Sequence, residues 1–205
     1  PYKEGIYDTL PQPGEDLSLT IDLDLQAYGE LLMSNKRGGI VAIEPSTGEI
    51  LALVTAPSYD PYLMVGRERS KNSVMLFNDT INKPMFDRGL QASYAPGSPF
   101  KLVEGLIGLQ ENVITPNTGF YCHHGYSYGN KATNFMGCHC GITGRAIDLR
   151  LGIAKSCNSY FSNVYKLLLE KYDTSQESLT HWAAHLRSFG LGDFLGYDLP
   201  IGTKG

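Results

Sequence analysis

Apolar positions gather most densely in two short runs. Ile40-Val41-Ala42-Ile43-Glu44 and Ile50-Leu51-Ala52-Leu53-Val54-Thr55 flank Pro45-Ser46-Thr47-Gly48. Short apolar runs separated by a proline and a glycine suited to a tight reversal predict a hairpin. A lone hairpin is marginal in water, so its apolar faces need cover from helices and further strands. No later run supplies an equally regular third strand. Before the hairpin, Leu25, Tyr28, Leu31 and Leu32 recur at helical spacing. Thr20 or Asp22 can cap that helix, and Gly38-Gly39 is expected to stop it. Residues 1–18, with Pro1, Pro11, Pro13 and Gly14, lack periodicity and read as a lead-in.

From about Phe86 the pattern turns helical. Helices are expected over Ser98 to Gln110, Ala146 to Lys155, Asn158 to Tyr172 and Leu179 to Phe189. Phe161, Val164, Tyr165 and Leu168 share one face of the third; Leu179, Trp182, Leu186 and Phe189 share one face of the fourth, which Gly190 should end. Residues 115–145 are irregular, rich in glycine and aromatics, and read as an inserted lobe.

Composition narrows the possibilities. The 205 residues, 42% hydrophobic and 19% charged, suffice for one ordinary core and point to a single globular domain, 1–205. The formal net charge is −4 and the basic residues are scattered, which argues against a nucleic-acid partner. No apolar run approaches bilayer length and no signal-like segment opens the chain, so any anchor or export signal is expected outside it.

Candidate chemistry centres on Pro96-Gly97-Ser98-Pro99-Phe100-Lys101, a turn running into a helix. With Ser98 at the helix start, Lys101 lies one turn along on the same face. A serine hydroxyl is a weak nucleophile until a base takes its proton, and a lysine amine can do so only when neutral. Spacing alone favours a capping serine and a solvated lysine, because Ser-x-x-Lys turns up often by chance. The second candidate is Ser156-Cys157-Asn158, where two polar side chains flank one pointing away. Ser156 could relay a proton and Asn158 could donate to a substrate amide carbonyl, although both are also ordinary residues at a helix boundary.

These segments, with Thr20-Ile21-Asp22-Leu23-Asp24-Leu25-Gln26, Ala42-Ile43-Glu44-Pro45-Ser46-Thr47-Gly48-Glu49, Arg88-Gly89-Leu90-Gln91 and Gly196-Tyr197-Asp198-Leu199-Pro200, occur in the same order in a known family. The chain resembles the transpeptidase domains of class B penicillin-binding proteins, most closely the penicillin-binding protein 2 kind that serves cell elongation. The resemblance implies an α/β (α+β) fold of the serine β-lactamase type, an antiparallel sheet between helical layers. It implies Ser98 as the acylated nucleophile, Lys101 as its base, and Ser156 and Asn158 as the second active-site motif, with Ser98 and Asn158 contacting substrate. The implied substrate is the D-Ala-D-Ala end of a peptidoglycan stem peptide, and β-lactam antibiotics acylate the same serine without any catalytic cofactor. The implied location is the periplasmic face of the bacterial inner membrane, anchored by an N-terminal segment and partnered by a glycosyltransferase of the elongation machinery. The family's Lys-Thr-Gly strand is expected after residue 200; Thr203-Lys204-Gly205 has the wrong order and lies too early. The resemblance therefore implies a partial domain, not active by itself. The alternatives are a β-lactam sensor, which acylates once and signals, and a structural fragment without activity.

Three of the four cysteines crowd with histidines into Cys122-His123-His124 and Cys138-His139-Cys140. A structural zinc held by Cys122, Cys138 and Cys140, with His124 ahead of His123 or His139 as the fourth ligand, is expected ahead of a disulfide between Cys122 and Cys138 or Cys140, and both ahead of free thiols. Some relatives hold a metal in this lobe through a histidine in a Gly-His-Gly segment, where Thr143 precedes Gly144 here. Cys157 is expected in the core between helices.

Overall fold

A computed structural model describes residues 14–131, 133–194 and 196. The Thr203-Lys204-Gly205 end, the segment from Tyr197 onward and most of the lead-in lie outside the described residues. The chain divides into two compact units, Pro1–Ala92 and Ser93–Gly205.

The first unit is built on the predicted hairpin. Strands β1 (Gly38–Ile43) and β2 (Ile50–Ala56) pair antiparallel from Gly38↔Ala56 to Ile43↔Ile50, with the register shifting at Ala42/Ile43. Ala52, Val54 and Ala56 form the buried face of β2, as alternation requires. Helix α1 (Leu23–Leu32) is started by Asp22, whose carboxylate accepts from Leu25 N at 2.9 Å. It packs on β2 through Gly29; a Cβ there would sit 2.8 Å from Val54 Cγ2. The Gln26 amide extends the ladder sideways, donating to Leu53 O at 3.0 Å and accepting from Leu53 N at 2.8 Å. The helix ends before the expected glycine pair: Met33 closes it and Asn35 takes a positive φ of 59°.

A short 3-10 turn (Pro61–Met64) and helix α2 (Arg69–Asn78) follow, neither expected from the sequence pattern. Arg88 is buried, and its guanidinium donates to the carbonyls of Asn82, Lys83 and Phe86, pinning the segment that returns to the hairpin.

The second unit is mainly helical, with α3 (Phe100–Gln110), α4 (Leu149–Ala154), α5 (Asn158–Leu169) and α6 (Ser175–Ser188). Helix α5 is central, packing against α3, α4 and α6, and Tyr160, Phe161, Val164 and Leu168 bury its apolar face. Ile107, Ile114, Ile147 and Leu149 complete the core around it. Helices α3 and α5 approach closely at Gly108, where a Cβ would lie 2.9 Å from Val164 Cγ1. The lobe expected to be irregular contains four very short strands, β3 (Phe120–Tyr121), β4 (Gly125–Ser127), β5 (Phe135–Gly137) and β6 (Ala146–Ile147). They pair as β3–β6 and β4–β5, so the described strands form three two-stranded antiparallel ladders. The class is mixed α/β, as expected. No helix among the described residues is long and apolar enough to cross a membrane.

Candidate active site and cysteine cluster

The polypeptide enters α3 through Gly97, whose φ of +63° is one glycine adopts without strain. Ser98 follows immediately, and Lys101 N donates to Ser98 O at 3.1 Å. This turn places Lys101 Nζ 3.3 Å from Ser98 Oγ. Between α4 and α5 the chain turns sharply at Ser156, which takes a φ of +48°, a region that non-glycine side chains rarely occupy and that concentrates at functional sites. The turn aims Ser156 Oγ at the helix start, where it donates to Ser98 Oγ at 2.8 Å.

Lys101 joins the two motifs. Its Nζ lies within hydrogen-bond distance of four oxygens, Ser156 Oγ at 3.0 Å, Ser156 O at 2.8 Å, Asn158 Oδ1 at 2.5 Å and Ser98 Oγ, one more than its N–H groups can serve at once. Asn158 Nδ2 donates to Gly137 O at 2.9 Å, which fixes the side-chain amide and leaves one further N–H on the same nitrogen. All four sequence-predicted residues thus meet at one point. Ser98 and Ser156 are exposed while Lys101 and Asn158 are half-buried, an open arrangement with its amine set into the wall. The geometry suits transfer of the Ser98 proton to a neighbouring amine or hydroxyl, the activation an attacking serine needs.

Cys157 points the opposite way, fully buried. It caps α5, its Sγ accepting from Tyr160 N at 3.4 Å. Its Sγ lies 3.7 Å from Cys138 Sγ, and the sulfurs of Cys122, Cys138, Cys140 and Cys157 all lie within 4.8 Å of one another. The four are free thiols. The expected set differs at one place, because the fourth sulfur-bearing neighbour of Cys122, Cys138 and Cys140 is Cys157 and not His124. His124 instead contributes its backbone, accepting from Cys138 N at 2.7 Å with a φ of +60°. The sequence carried one signal for this, a cysteine between Ser156 and Asn158 that must face away from them.

Within the cluster, burial pushes the Cys157 thiol up and raises that of Cys122. Burial also works to raise Cys138, but backbone N–H groups of Ser159 and Cys140 and the neighbouring thiols outweigh it, holding Cys138 at about 6. One sulfur is therefore poised as thiolate, the form that binds metals. A tetrahedral ion with sulfur bonds of about 2.3 Å sets its ligands about 3.8 Å apart, which four sulfurs at this spacing fit.

A carboxyl that the motifs did not single out lies beside this site. Glu104, one turn beyond Lys101 on α3, is only 8% exposed, and its desolvation pushes the carboxyl up to about 7 against the opposing pull of Lys101.

The penicillin-binding protein transpeptidase domain family matches residues 38–205. The chain is 34% identical over 200 residues to the peptidoglycan D,D-transpeptidase MrdA of Acinetobacter baumannii, covering 95% of this chain and 27% of that protein. It is 33% identical over 195 residues to the protein of the same name from Escherichia coli K12, covering 95% of this chain and 29% of that one. The chain thus spans less than a third of the length of these curated relatives. Among solved structures, Pseudomonas aeruginosa PBP2 in complex with WCK 5153 aligns with a TM-score of 0.77 at 32% identity, over 97% of this chain and 41% of that one. The imipenem acyl-enzyme complex of penicillin-binding protein A from Mycobacterium tuberculosis aligns with a TM-score of 0.70 at 27% identity, over 84% of this chain and 39% of that one.

Proposed function

Because the chain belongs to the penicillin-binding protein transpeptidase domain family, we propose that it carries the acylation centre of a peptidoglycan D,D-transpeptidase, with Ser98 as nucleophile. The observation that carries this reading is the position of Ser98 Oγ, 3.3 Å from Lys101 Nζ and 2.8 Å from Ser156 Oγ. A serine held between an amine and a second hydroxyl has both a base and a proton relay at hand.

The reaction proceeds in two halves. Ser98 Oγ attacks the carbonyl carbon of the penultimate D-alanine of a stem peptide, and its proton passes to Lys101 Nζ. The carbon–nitrogen bond to the terminal D-alanine breaks, and the departing amine takes a proton from Lys101 through Ser156. An amine of a second stem then attacks the acyl-serine, the ester bond to Ser98 Oγ breaks, and the proton that the attacking amine loses passes to Ser98 Oγ. Asn158 orients Lys101 through Oδ1 and offers its remaining Nδ2 proton to the substrate amide. A β-lactam enters the same first half and stops there; the M. tuberculosis neighbour in its imipenem acyl-enzyme form supports that expectation. The periplasmic setting, a membrane anchor and a glycosyltransferase partner of the elongation machinery belong to this same reading.

The cysteine cluster is read as a structural zinc site. Cys122, Cys138, Cys140 and Cys157 would hold the ion, which would supply cross-linking of the lobe to α5. Zinc is not part of the serine chemistry, which needs no cofactor.

Intact-mass analysis after incubation with a fluorescent penicillin tests the proposal. It should be run on this chain and on a polypeptide extending it to the length of its relatives. One covalent adduct per chain in the extended form, lost in Ser98→Ala, is the expected result. An adduct that persists in Ser98→Ala would assign the nucleophile elsewhere.

A further inference from the structure

The cysteine cluster is joined to the serine site at two points. Cys157 lies between Ser156 and Asn158, whose side chains reach Ser98 and Lys101. Cys138 follows Gly137, whose carbonyl accepts from Asn158 Nδ2 at 2.9 Å. Across this joint Cys138 Sγ and Cys157 Sγ face one another at 3.7 Å, both as free thiols.

This spacing is close to that of a covalent pair. A disulfide sets its sulfurs about 2.05 Å apart, so bonding asks for an approach of less than about 2 Å by two side chains already in contact. Cys138 and Cys140 are separated by a single residue, a span too short for an easy bridge between them. Cys157 is fully buried, whereas Cys138 keeps 8% of its surface. A small oxidant therefore meets Cys138 first, and Cys157 waits behind it as the resolving thiol. A low-lying sulfur at the surface with a second sulfur beside it is the arrangement in which oxidation stops at a reversible disulfide.

We infer that Cys138 and Cys157 form a thiol–disulfide modification site, oxidised by hydrogen peroxide, whose closure displaces the second active-site motif. Cys138 Sγ attacks one peroxide oxygen, the O–O bond breaks, and the leaving hydroxide takes up the Cys138 proton, giving a sulfenic acid and one water. Cys157 Sγ then attacks Cys138 Sγ, the S–O bond breaks, and the departing hydroxide leaves as a second water with the Cys157 proton. Two thiols lose two electrons and two protons, and one peroxide is reduced to two waters. A zinc ion held by the cluster loses two of its four sulfurs in this step.

Closure draws Cys157 Sγ from its cap on Tyr160 N and draws the Gly137–Cys138 segment towards α5. Asn158 lies between the two movements, since its backbone follows Cys157 and its Nδ2 is held by Gly137 O. Ser156 keeps its φ of +48° next to the same anchored sulfur. A misplacement of about 1 Å in such groups can cost about 10²-fold in rate. Slower acylation of Ser98 is the part of the inference that rests on the transpeptidase reading.

The test uses the polypeptide extended to the length of its relatives, treated with hydrogen peroxide, blocked at its remaining thiols and mapped by peptide mass spectrometry. A Cys138–Cys157 cross-link that dithiothreitol reverses is the expected product. Labelling by fluorescent penicillin should be roughly 10²-fold slower in the cross-linked form and return to the untreated rate after reduction. A different cysteine pair, sulfinic or sulfonic acid without a cross-link, or thiols left unreacted would overturn the modification site. Equal labelling rates with the cross-link in place would overturn its effect on Ser98. Absence of labelling in the reduced protein would count against the acyl-serine reading alone, because the cross-link is scored without it. No variant has to fold for either measurement.

Discussion

Ser156 Oγ donates to Ser98 Oγ at 2.8 Å from a backbone whose φ is +48°. A serine in this conformation costs on the order of 1–3 kcal/mol, and the fold sustains it because Cys157, next in sequence, is anchored in the core. The hydroxyl is thereby aimed at the helix start and not at solvent.

Acylation should depend on this contact. Ser156→Ala keeps the nucleophile and Lys101 but removes the relay, and is expected to slow β-lactam acylation by roughly 10²–10⁴-fold, the usual worth of a positioned proton-transfer group. Lys101→Met should slow it at least as much. A time course of adduct formation by intact mass checks both; a Ser156→Ala rate equal to wild type would remove the hydroxyl from the mechanism.

Much of this site was legible in the sequence because its parts are local. Ser98 and Lys101 share one helical turn, and Ser156 and Asn158 bracket one residue, so each pair is fixed by backbone geometry. The hairpin was legible for the same reason, since two apolar runs at 40–44 and 50–55 are joined by a short Pro45–Gly48 turn; which face buries Val54 was not, because both runs are apolar on both faces. The boundaries of α6 were not read correctly because its first turn is polar, although Thr174 with Glu177 three residues on marks the start: Thr174 Oγ1 accepts from Glu177 N at 3.1 Å. Helix α2 was missed because Arg69–Asn78 mixes polar and apolar residues on every face. The fourth member of the cysteine cluster depends on tertiary packing, as Cys157 meets Cys138 only once β5 and α5 come together, and no spacing rule reports that.

Metal analysis of protein purified without chelators should find about one zinc per chain, as a single tetrahedral site requires. Cys157→Ser should reduce that occupancy, whereas His124→Ala should leave it unchanged because the histidine's contribution is a backbone carbonyl. Chelation should lower the melting temperature. Retention of full zinc by Cys157→Ser, or its loss in His124→Ala, would return the histidine to the ligand set.

The α3–α5 contact admits no side chain at Gly108. A Cβ there would stand 2.9 Å from Val164 Cγ1 and 3.1 Å from Ile114 Cδ1, both in the buried core. Gly108→Ala should therefore destabilise the protein by about 1–3 kcal/mol, the usual cost of overpacking, against the modest gain expected from alanine in a helix. Denaturant unfolding measures this directly; a stabilised variant would show that the two helices separate without cost.

The final prediction concerns acid. Glu111, at the end of α3, accepts from Lys171, from Tyr172 OH at 2.9 Å and from His185 Nε2, tying that helix to the turn after α5 and to α6. Burial works to raise its carboxyl, but the hydrogen bonds from Lys171, His185 and Tyr172 outweigh it and bring the carboxyl down from an ordinary 4.5 to about 2. A carboxyl depressed in the folded state stabilises that state fully above its unfolded value, and the contribution is lost as protons are taken up through the folded one. Stability should therefore fall as pH drops from about 4.5 towards about 2, and Glu111→Gln should remove that part of the slope while lowering stability at neutral pH. Thermal unfolding of both proteins across this range checks the sign. An unchanged slope in Glu111→Gln would mean that other carboxylates govern acid unfolding.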